Sequence, residues 1–311
     1  MTDLPRLPEH LDAAASLTEA RLAAALAAAP EAGERLRPER LMAAMRHGAL
    51  AGGKRLRPFL VMESAAVFGV PAAQSVTAAA AVECVHCYSL IHDDLPAMDD
   101  DDLRRGRPTL HKAFDEATAI LAGDGLLTLA FDLLAGEDAH PDPAVRIALV
   151  RALARASGIG GMVGGQMLDL AAEGRFSGDG RPLALEDAAI LDLQAMKTGA
   201  LLTVSAEAGA ILAGAPAADR ARMAAYGAAL GAAFQIADDI LDVEGDAAEV
   251  GKKVGKDAAA GKATLVTRLG LDGARARLAA LVAEAEAAVA PFGSAGSLLA
   301  AAAHFVAARK S

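Results

Sequence analysis

Tryptophan is absent from this 311-residue chain, and tyrosine occurs only twice. Aromatic and β-branched side chains favour strands, so their scarcity leaves little material from which to build a sheet. Alanine, the strongest helix former, is instead the dominant residue. The composition therefore predicts an all-α fold of about ten or more helices.

Cysteine is also scarce, because the chain contains only Cys84 and Cys87. A C-x-x-C pair is found in redox motifs and forms half of many zinc sites, but this chain has no second pair. The two cysteines lie at helical spacing in an apolar run, which fits two buried thiols. We expect a packing role for both.

The chain has no excess of positively charged residues. The formal net charge is −10 and the sequence pI is about 5.2. A strongly acidic chain does not attract nucleic acid by bulk electrostatics, so we expect no nucleic-acid partner. An anionic substrate would have to meet positive charge that is gathered locally.

Linker and targeting signals are lacking as well. The 13 prolines are scattered and no Pro/Ser-rich stretch divides the chain, so we expect a single domain over residues 1–311. Acidic residues precede any apolar run, which argues against a secretory signal. The apolar stretch 201–218 contains Glu207 and makes a poor membrane span. We expect a cytoplasmic protein without stable membrane insertion.

Apolar periodicity and glycine or proline punctuation place the helices, with bounds uncertain by about 2–4 residues. The predicted ranges are 16–29, 39–51, 58–68, 72–94, 115–135, 143–157, 161–173, 185–213, 218–242, 263–269, 273–290 and 295–309. The glycine- and lysine-rich segment from Glu244 to Gly261 is predicted to be a loop that closes over bound phosphates, together with Arg309 and Lys310.

Two aspartate clusters stand out in this apolar sequence, at 93–102 and at 238–242. Carboxylates are costly to bury without compensating positive charge, and hard divalent cations prefer oxygen ligands. Magnesium commonly binds through a few carboxylates together with substrate phosphates. Two such clusters facing each other would form a polynuclear magnesium site for a diphosphate.

The position of the clusters on helices supports a metal site. Asp238 and Asp242 are four residues apart and share one helix face. Pro96 ends the first helix near Asp93, and Asp99 returns from the following loop. Carboxylates at a helix C-terminus oppose the macrodipole, so a bound cation would stabilise the arrangement.

Basic residues gather at 52–58, at 104–107 and at 252–262. Arginine and lysine side chains suit phosphate oxygens, although any one cluster is equally typical of a surface salt-bridge network. Beside two acidic clusters, they indicate a site that holds two phosphate groups differently. One group would bind through metal and the other directly to the protein.

Four blocks in this order resemble the trans-isoprenyl diphosphate synthases, most closely the bacterial farnesyl diphosphate synthases. The blocks are GGKRLRP at 52–58, SLIHDDLPAMDDDDLRRG at 89–106, KTG at 197–199 and FQIADDILD at 234–242. The resemblance implies an all-helical homodimer with a deep central cavity in each subunit. It also implies head-to-tail condensation of isopentenyl diphosphate with dimethylallyl or geranyl diphosphate. Three Mg²⁺ ions per active site would assist the reaction, and Mn²⁺ would be able to substitute.

The resemblance also implies a role for each matching residue. The metal ligands would be Asp93, Asp94, Asp99, Asp238, Asp239 and Asp242. The allylic diphosphate and the developing carbocation would contact Arg104, Lys197, Thr198, Gln235, Lys252 and Lys262, of which Arg104, Lys197, Thr198 and Gln235 are the catalytic candidates. Isopentenyl diphosphate would bind Lys54, Arg57, His86 and Arg105. His86, within an apolar helix, would alternatively be a satisfied core histidine.

Product length is predicted from Tyr88, which lies five residues before Asp93 and so about 7.5 Å deeper along a helix. A ring at this depth would be the floor of the cavity and stop growth at farnesyl diphosphate, as the family's aromatic stop does. The alternative is that Tyr88 only packs against a neighbouring helix. Two other functions stay open, a synthase of geranylgeranyl or another chain length and a non-catalytic subunit of a heteromeric synthase.

Overall fold

The computed structural model describes residues 6–244 and 265–308, and its elements are almost all helical. The first half contains α1 (Leu7–Ala25), α2 (Glu39–Ala49), α3 (Leu56–Val67), α4 (Ala72–Asp93), α5 (Leu110–Ala113) and α6 (Glu116–Ala135). A two-residue hairpin, β1 (Leu103–Arg104) with β2 (Arg107–Pro108), is antiparallel and pairs Leu103 with Pro108. The all-α prediction is confirmed.

The second half contains the remaining helices. They are α7 (Pro143–Ser157), α8 (Met162–Ala172), α9 (Asp187–Gln194), a π-helical segment (Ala195–Gly199), α10 (Ala200–Leu212), α11 (Ala217–Glu244), α12 (Leu265–Val289), a 3₁₀ segment (Ala290–Gly296) and α13 (Ser297–Ala307). Here α11 packs against α10 and α12, and α10 also packs against α3.

Helix α4 lies at the centre of the bundle. The four alanines at 78–81 are fully buried, so this helix has no solvent face at that level. A helix that is apolar all round is expected to be enclosed by others, and α1, α3 and α6 pack around it. The C-terminal end of α4 therefore carries Asp93 from the core to a fixed position.

Several predicted bounds differ from the structure. The first helix begins at Leu7 instead of residue 16, because Pro8 is tolerated in the first turn. The predicted helix 185–213 is divided by the π-helical segment. The predicted break between 269 and 273 coincides with Gly270, whose φ of 70° interrupts α12.

Both cysteines are free and buried on α4, as predicted. Burial raises the pKa of the Cys84 thiol well above its usual range. Burial, with Glu83 nearby, raises the pKa of Cys87 to about 12. Because the thiolate is the reactive form, neither side chain is suited to redox or metal chemistry near neutral pH.

Three helical stretches are long and apolar enough to cross a membrane, judged by length and composition alone. They are Glu116–Ala135, Pro143–Ala172 and Arg268–Ala307, and part of each is buried inside the bundle. The second comprises α7 and α8, which are separate helices. The absence of stable membrane insertion stays a prediction.

Helices α3 and α10 approach most closely at Gly209. A Cβ atom there would lie 2.2 Å from the backbone nitrogen of Ala65 and 2.2 Å from Ser64 Oγ. Real Cβ atoms do not approach backbone so closely, so only glycine permits this contact. The packing of the two helices depends on it.

We expect Gly209→Ala to lower the free energy of unfolding by about 1–3 kcal/mol, because the new methyl group forces α3 and α10 apart. Urea denaturation followed by circular dichroism measures this. Gly125→Ala is the matched control, since its Cβ would meet only the flexible side chain of Met45, at 3.0 Å. Alanine favours a helix over glycine, so the control should be neutral or stabilising. Equal losses in the two variants would contradict the proposed contact.

Candidate active site

The first aspartate cluster is positioned by the end of α4. The helix ends at Asp93, and the backbone N–H of Asp99 donates to the carbonyl of Asp93 at 2.8 Å. This hydrogen bond folds the loop back onto the helix end, as Pro96 predicted. Asp93 and Asp99 therefore lie close enough for each charge to act on the other.

Asp94 is engaged with the protein. Only 3% of the residue is exposed, and its Oδ1 lies 2.7 Å from Nε and 2.6 Å from Nη2 of Arg104. Arg104 comes from strand β1, so the hairpin brings this cation to the helix end. The sequence motif groups Asp94 with the metal ligands, whereas the structure pairs it with an arginine.

Asp93 lies in a different environment. Burial raises the pKa of this carboxyl to about 6, and Asp99 adds to the rise while Lys197 opposes it. Burial and a neighbouring like charge both disfavour the ionised form of a carboxyl, and nearby positive charge favours it. A divalent cation would supply it.

Lys197 lies on the π-helical segment and donates to Asp169 on α8. Asp169 is buried, with 7% exposure, and sequence reasoning missed it. Two adjacent glycines, Gly164 and Gly165, precede it. A Cβ on Gly165 would lie 2.2 Å from the backbone nitrogen of Lys197, so α8 contacts the π-helical segment directly. The glycine pair was the available sequence signal.

The second aspartate cluster is connected to the same segment. Thr198 Oγ1 donates to Gln235 Oε1 at 3.3 Å, and Gln235 Nε2 donates to Asp239 Oδ1 at 2.9 Å. The other oxygen of Asp239 accepts from Gln194 Nε2 at 3.2 Å. Asp239 is therefore buried and held by two side-chain amides, and Gln194 is a further residue that sequence reasoning missed. Asp238 and Asp242 lie on α11 at partly exposed positions.

Within residues 6–244 and 265–308, no three His, Cys, Asp or Glu side chains lie close enough to hold one metal ion. The predicted polynuclear site is thus not preassembled from described carboxylates. The donor set still fits magnesium, because Asp93 and Asp99 offer hard oxygen ligands, and burial together with the charge of Asp99 raises the pKa of Asp93.

A cavity of about 530 Å³ borders α4 and is lined by basic and apolar residues. All four predicted contacts of isopentenyl diphosphate line it, namely Lys54, Arg57, His86 and Arg105. The Lys54 ammonium lies 5.8 Å from the ring centroid of Phe305 on α13. Arg105 donates to the carbonyl of Gly52. The structure brings together residues that are far apart in sequence.

Arg57 is a partly buried cation that lines this basic cavity. Its Nη1 donates to His86 Nε2 at 3.3 Å, and its buried Nε has no hydrogen-bond partner among the described residues. Burial lowers its pKa, and Arg105 adds repulsion. Arg55 behaves differently, because it turns inward and contacts Glu83 at 2.6 Å and the carbonyl of Ala49 at 2.6 Å. Of the two arginines in this motif, Arg55 is thus paired with a buried carboxylate, whereas Arg57 contacts a histidine.

A second cavity, of about 550 Å³, runs along α4 from Asp93 and is mainly apolar. Tyr88, His92, Ile120, Met162 and Leu170 are among the residues that line it. The two cavities share Arg57, His86, Leu90 and Thr198. Tyr88 thus borders the cavity, as the product-length prediction requires.

Lys252, Lys262, the predicted loop from Glu244 to Gly261 and the pair Arg309 and Lys310 lie outside the described residues, apart from Glu244 itself.

Comparison with known proteins accounts for this combination of helical bundle and paired cavities. Residues 38–293 match the family model described as "Polyprenyl synthetase". The farnesyl diphosphate synthase of Escherichia coli (strain K12) is 51% identical over 248 residues, covering 78% of this chain and 79% of that protein. The farnesyl diphosphate synthase of Geobacillus stearothermophilus is 46% identical over 243 residues, covering 78% of this chain and 79% of that protein.

A solved structure agrees over the whole chain. The apo crystal structure of an FPP/GFPP synthase from Zymomonas mobilis superposes with a TM-score of 0.85 at 44% sequence identity, covering 98% of this chain and 100% of that chain. The chain belongs to the polyprenyl synthetase family. It is a prenyltransferase, and its substrates are isoprenoid diphosphates.

The pKa of His86 makes folding stability depend on pH. Burial lowers this pKa well below its ordinary value, and the charges of Arg57 and Arg105 add to the effect. In the unfolded chain, this histidine becomes protonated below about pH 6.5, whereas in the folded chain it stays neutral. The free energy of unfolding therefore falls as pH drops below that value. Between pH 7 and pH 5, this histidine should therefore make the folded state progressively less stable.

We expect His86→Gln to remove this contribution, so that stability changes less between pH 7 and pH 5 than in the wild type. Chemical denaturation at the two pH values measures the difference. An identical pH dependence in both proteins would show that His86 accepts a proton while folded.

Proposed function

We propose that this chain condenses isopentenyl diphosphate with dimethylallyl or geranyl diphosphate, head to tail, to give farnesyl diphosphate and diphosphate. One observation carries the proposal: a basic cavity and an apolar cavity meet at Arg57, His86, Leu90 and Thr198. A charged substrate held in the first cavity would present its alkene to a prenyl chain that extends into the second.

The allylic diphosphate would bind at the mouth of the apolar cavity, beside Asp93 and Lys197. Asp93 and Asp99 on one side, and Asp238 and Asp242 on α11, would hold Mg²⁺, three ions in all, with Mn²⁺ able to substitute. When bound, these ions neutralise the departing diphosphate and favour cleavage of its bond to the allylic carbon. Asp94 and Asp239 would have a different role, because both accept hydrogen bonds from protein donors. They would orient Arg104 and Gln235.

Four side chains of the protein would act on the ionising substrate. Lys197 and Arg104 would offer positive charge to the leaving diphosphate oxygens, while Thr198 and Gln235 would turn their oxygens towards the carbocation. Their hydrogen bonds keep them in place before the substrate arrives, so little reorganisation is needed during reaction. Lys252 and Lys262 would add to the phosphate contacts.

Isopentenyl diphosphate would bind without metal in the basic cavity. Arg57 has no carboxylate ion pair among the described residues, so it retains charge for an anion, and Lys54 would add a second cation from the same cavity wall. Arg105 and neutral His86 would complete the contacts. Once the new carbon–carbon bond has formed, a proton leaves the condensed chain, and the released diphosphate is the nearest base.

Farnesyl diphosphate is favoured as the product because Tyr88 borders the apolar cavity, five residues before Asp93. The relative from Zymomonas mobilis is described as an FPP/GFPP synthase, so a longer product is the second candidate. We further propose that the chain works as one polyprenyl synthase domain over 1–311, as a cytoplasmic homodimer without a nucleic-acid partner. One continuous core of buried residues from α1 to α13 supports the single domain.

The deciding experiment incubates the purified chain alone with Mg²⁺, isopentenyl diphosphate and each allylic primer, and identifies the products by chromatography. We expect farnesyl diphosphate from both primers, and complete loss of product after chelation with restoration by Mg²⁺ or Mn²⁺. Turnover that persists after exhaustive chelation would refute the metal assignment. A chain that is inactive alone but active with a second subunit would support the non-catalytic alternative.

We expect Lys54→Ala and Arg57→Ala to raise the KM for isopentenyl diphosphate about tenfold each, because a hydrogen bond to a charged group contributes about 1.5–3 kcal/mol. The KM for geranyl diphosphate should change much less. Steady-state kinetics with each substrate varied in turn measures both. Arg277→Ala is the control, since this arginine pairs with Glu284 on the exposed side of α12 and lines neither cavity. Equal effects on both substrates would refute the assignment of the cavities.

We expect Tyr88→Ala to shift the products towards geranylgeranyl diphosphate and longer chains, because removing the ring deepens the apolar cavity. Product chromatography with the variant measures the shift, and dependence on Mg²⁺ should be retained. A variant that still yields only farnesyl diphosphate would show that another residue sets the depth.

A further inference from the structure

Helix α6 contacts α4 through a histidine ring that lies directly on the backbone of Gly123. A Cβ atom on Gly123 would lie 2.1 Å from Nε2, 2.5 Å from Cδ2 and 2.9 Å from Cε1 of His92. Any other residue at position 123 would force the ring to move from this position. Glycine is a poor helix former, so this contact with His92, and not helix propensity, accounts for a glycine at position 123.

The ring of His92 is held on both sides. Its Nε2 donates to the carbonyl of Ile120 at 3.1 Å, and Asp124 Oδ1 lies 3.9 Å from the same nitrogen. On the other side, the ring meets Tyr88 edge to face, with centroids 5.7 Å apart and planes at 76°. The two residues are four apart on α4, so the rings are neighbours on one helix face.

Both rings line the apolar cavity, and so does Ile120. Edge-to-face aromatic pairs have a preferred geometry, so the position of one ring limits the positions open to the other. Tyr88 thus lies against His92, which in turn lies against the backbone of α6. The depth of the cavity depends on this whole stack of groups.

We propose that His92, seated on Gly123, is a second residue that determines product length, both by lining the cavity and by holding the ring of Tyr88 in place. This inference rests on the proposed function, since it concerns the growing prenyl chain. It assigns His92 a role that is separate from the adjacent carboxylate of Asp93, although the two are consecutive in sequence.

Two substitutions should change product length in opposite directions. His92→Ala removes a ring from the cavity wall and frees Tyr88, so the ratio of geranylgeranyl to farnesyl diphosphate should rise about tenfold, a typical discrimination for apolar pocket contacts. Gly123→Ala pushes the His92 ring away from α6 and into the cavity, so geranyl diphosphate should accumulate.

The double variant Gly123→Ala/His92→Ala separates the contact from other effects. The new methyl group then has no ring to displace, so the double variant should give longer products, like His92→Ala alone. Gly125→Ala is the matched control, two residues along on the same helix, and should keep the wild-type products. Circular dichroism and thermal unfolding check that each variant is folded.

Two results would overturn the inference. One is an unchanged product distribution in folded His92→Ala while Tyr88→Ala gives longer chains. The other is accumulation of geranyl diphosphate in the double variant, since Gly123→Ala would then act without the ring. If His92→Ala does not fold, His92→Phe takes its place. A ring is retained in that variant, so farnesyl diphosphate should stay the main product. Longer products from His92→Phe would contradict the packing role. A wild-type chain that makes no prenyl product would overturn the proposed function as well.

Discussion

The candidate site depends on the close approach of two helices to the π-helical segment. Gly165 brings α8 against the backbone of Lys197, and a Cβ on Gly231 of α11 would lie only 2.8 Å from the Cα of Gly199. An extra residue in a helical turn redirects the side chains that follow it, and such turns are frequent at functional sites. Here it presents Lys197 to one acidic cluster and Thr198 to the other. These glycines therefore permit the close packing that places Lys197 and Thr198 between the two aspartate clusters.

The same region shows how the protein keeps charge in an apolar setting. Arg104 is paired with Asp94, and Lys197 with Asp169, so the two cations are fixed by buried carboxylates. A buried charge with an ion-pair partner costs less than one alone, and its geometry is set in advance. Asp93 lacks a comparable hydrogen-bonded partner among the described residues, and its pKa rises accordingly. The site thus combines two ion pairs, which orient Arg104 and Lys197, with the carboxyl of Asp93, whose raised pKa a bound cation would lower.

Much of this could be predicted from the sequence, because the informative signals are local. Pro96 places the end of α4 beside Asp93, and the alanine-rich composition predicts helices without sheets. What could not be predicted depends on contacts between distant segments. Arg55 and Arg57 are two residues apart and line the same cavity, yet Arg55 pairs with Glu83 whereas Arg57 donates to His86. Asp169 is a further case, because only its contact with Lys197 gives it a role and that contact spans separate helices.

The two cavities also give one helical bundle separate places for the charged diphosphate of isopentenyl diphosphate and for the apolar prenyl chain. Helix α4 borders both: His86 lies where the cavities meet, and Tyr88 and His92 lie along the apolar one. These residues share one helix that is largely buried and packs against α3 and α6, so its backbone is held in place. The depth of the apolar cavity is therefore coupled to packing against α6, while Arg57 and His86 belong to both cavities and connect the prenyl chain to the phosphate contacts.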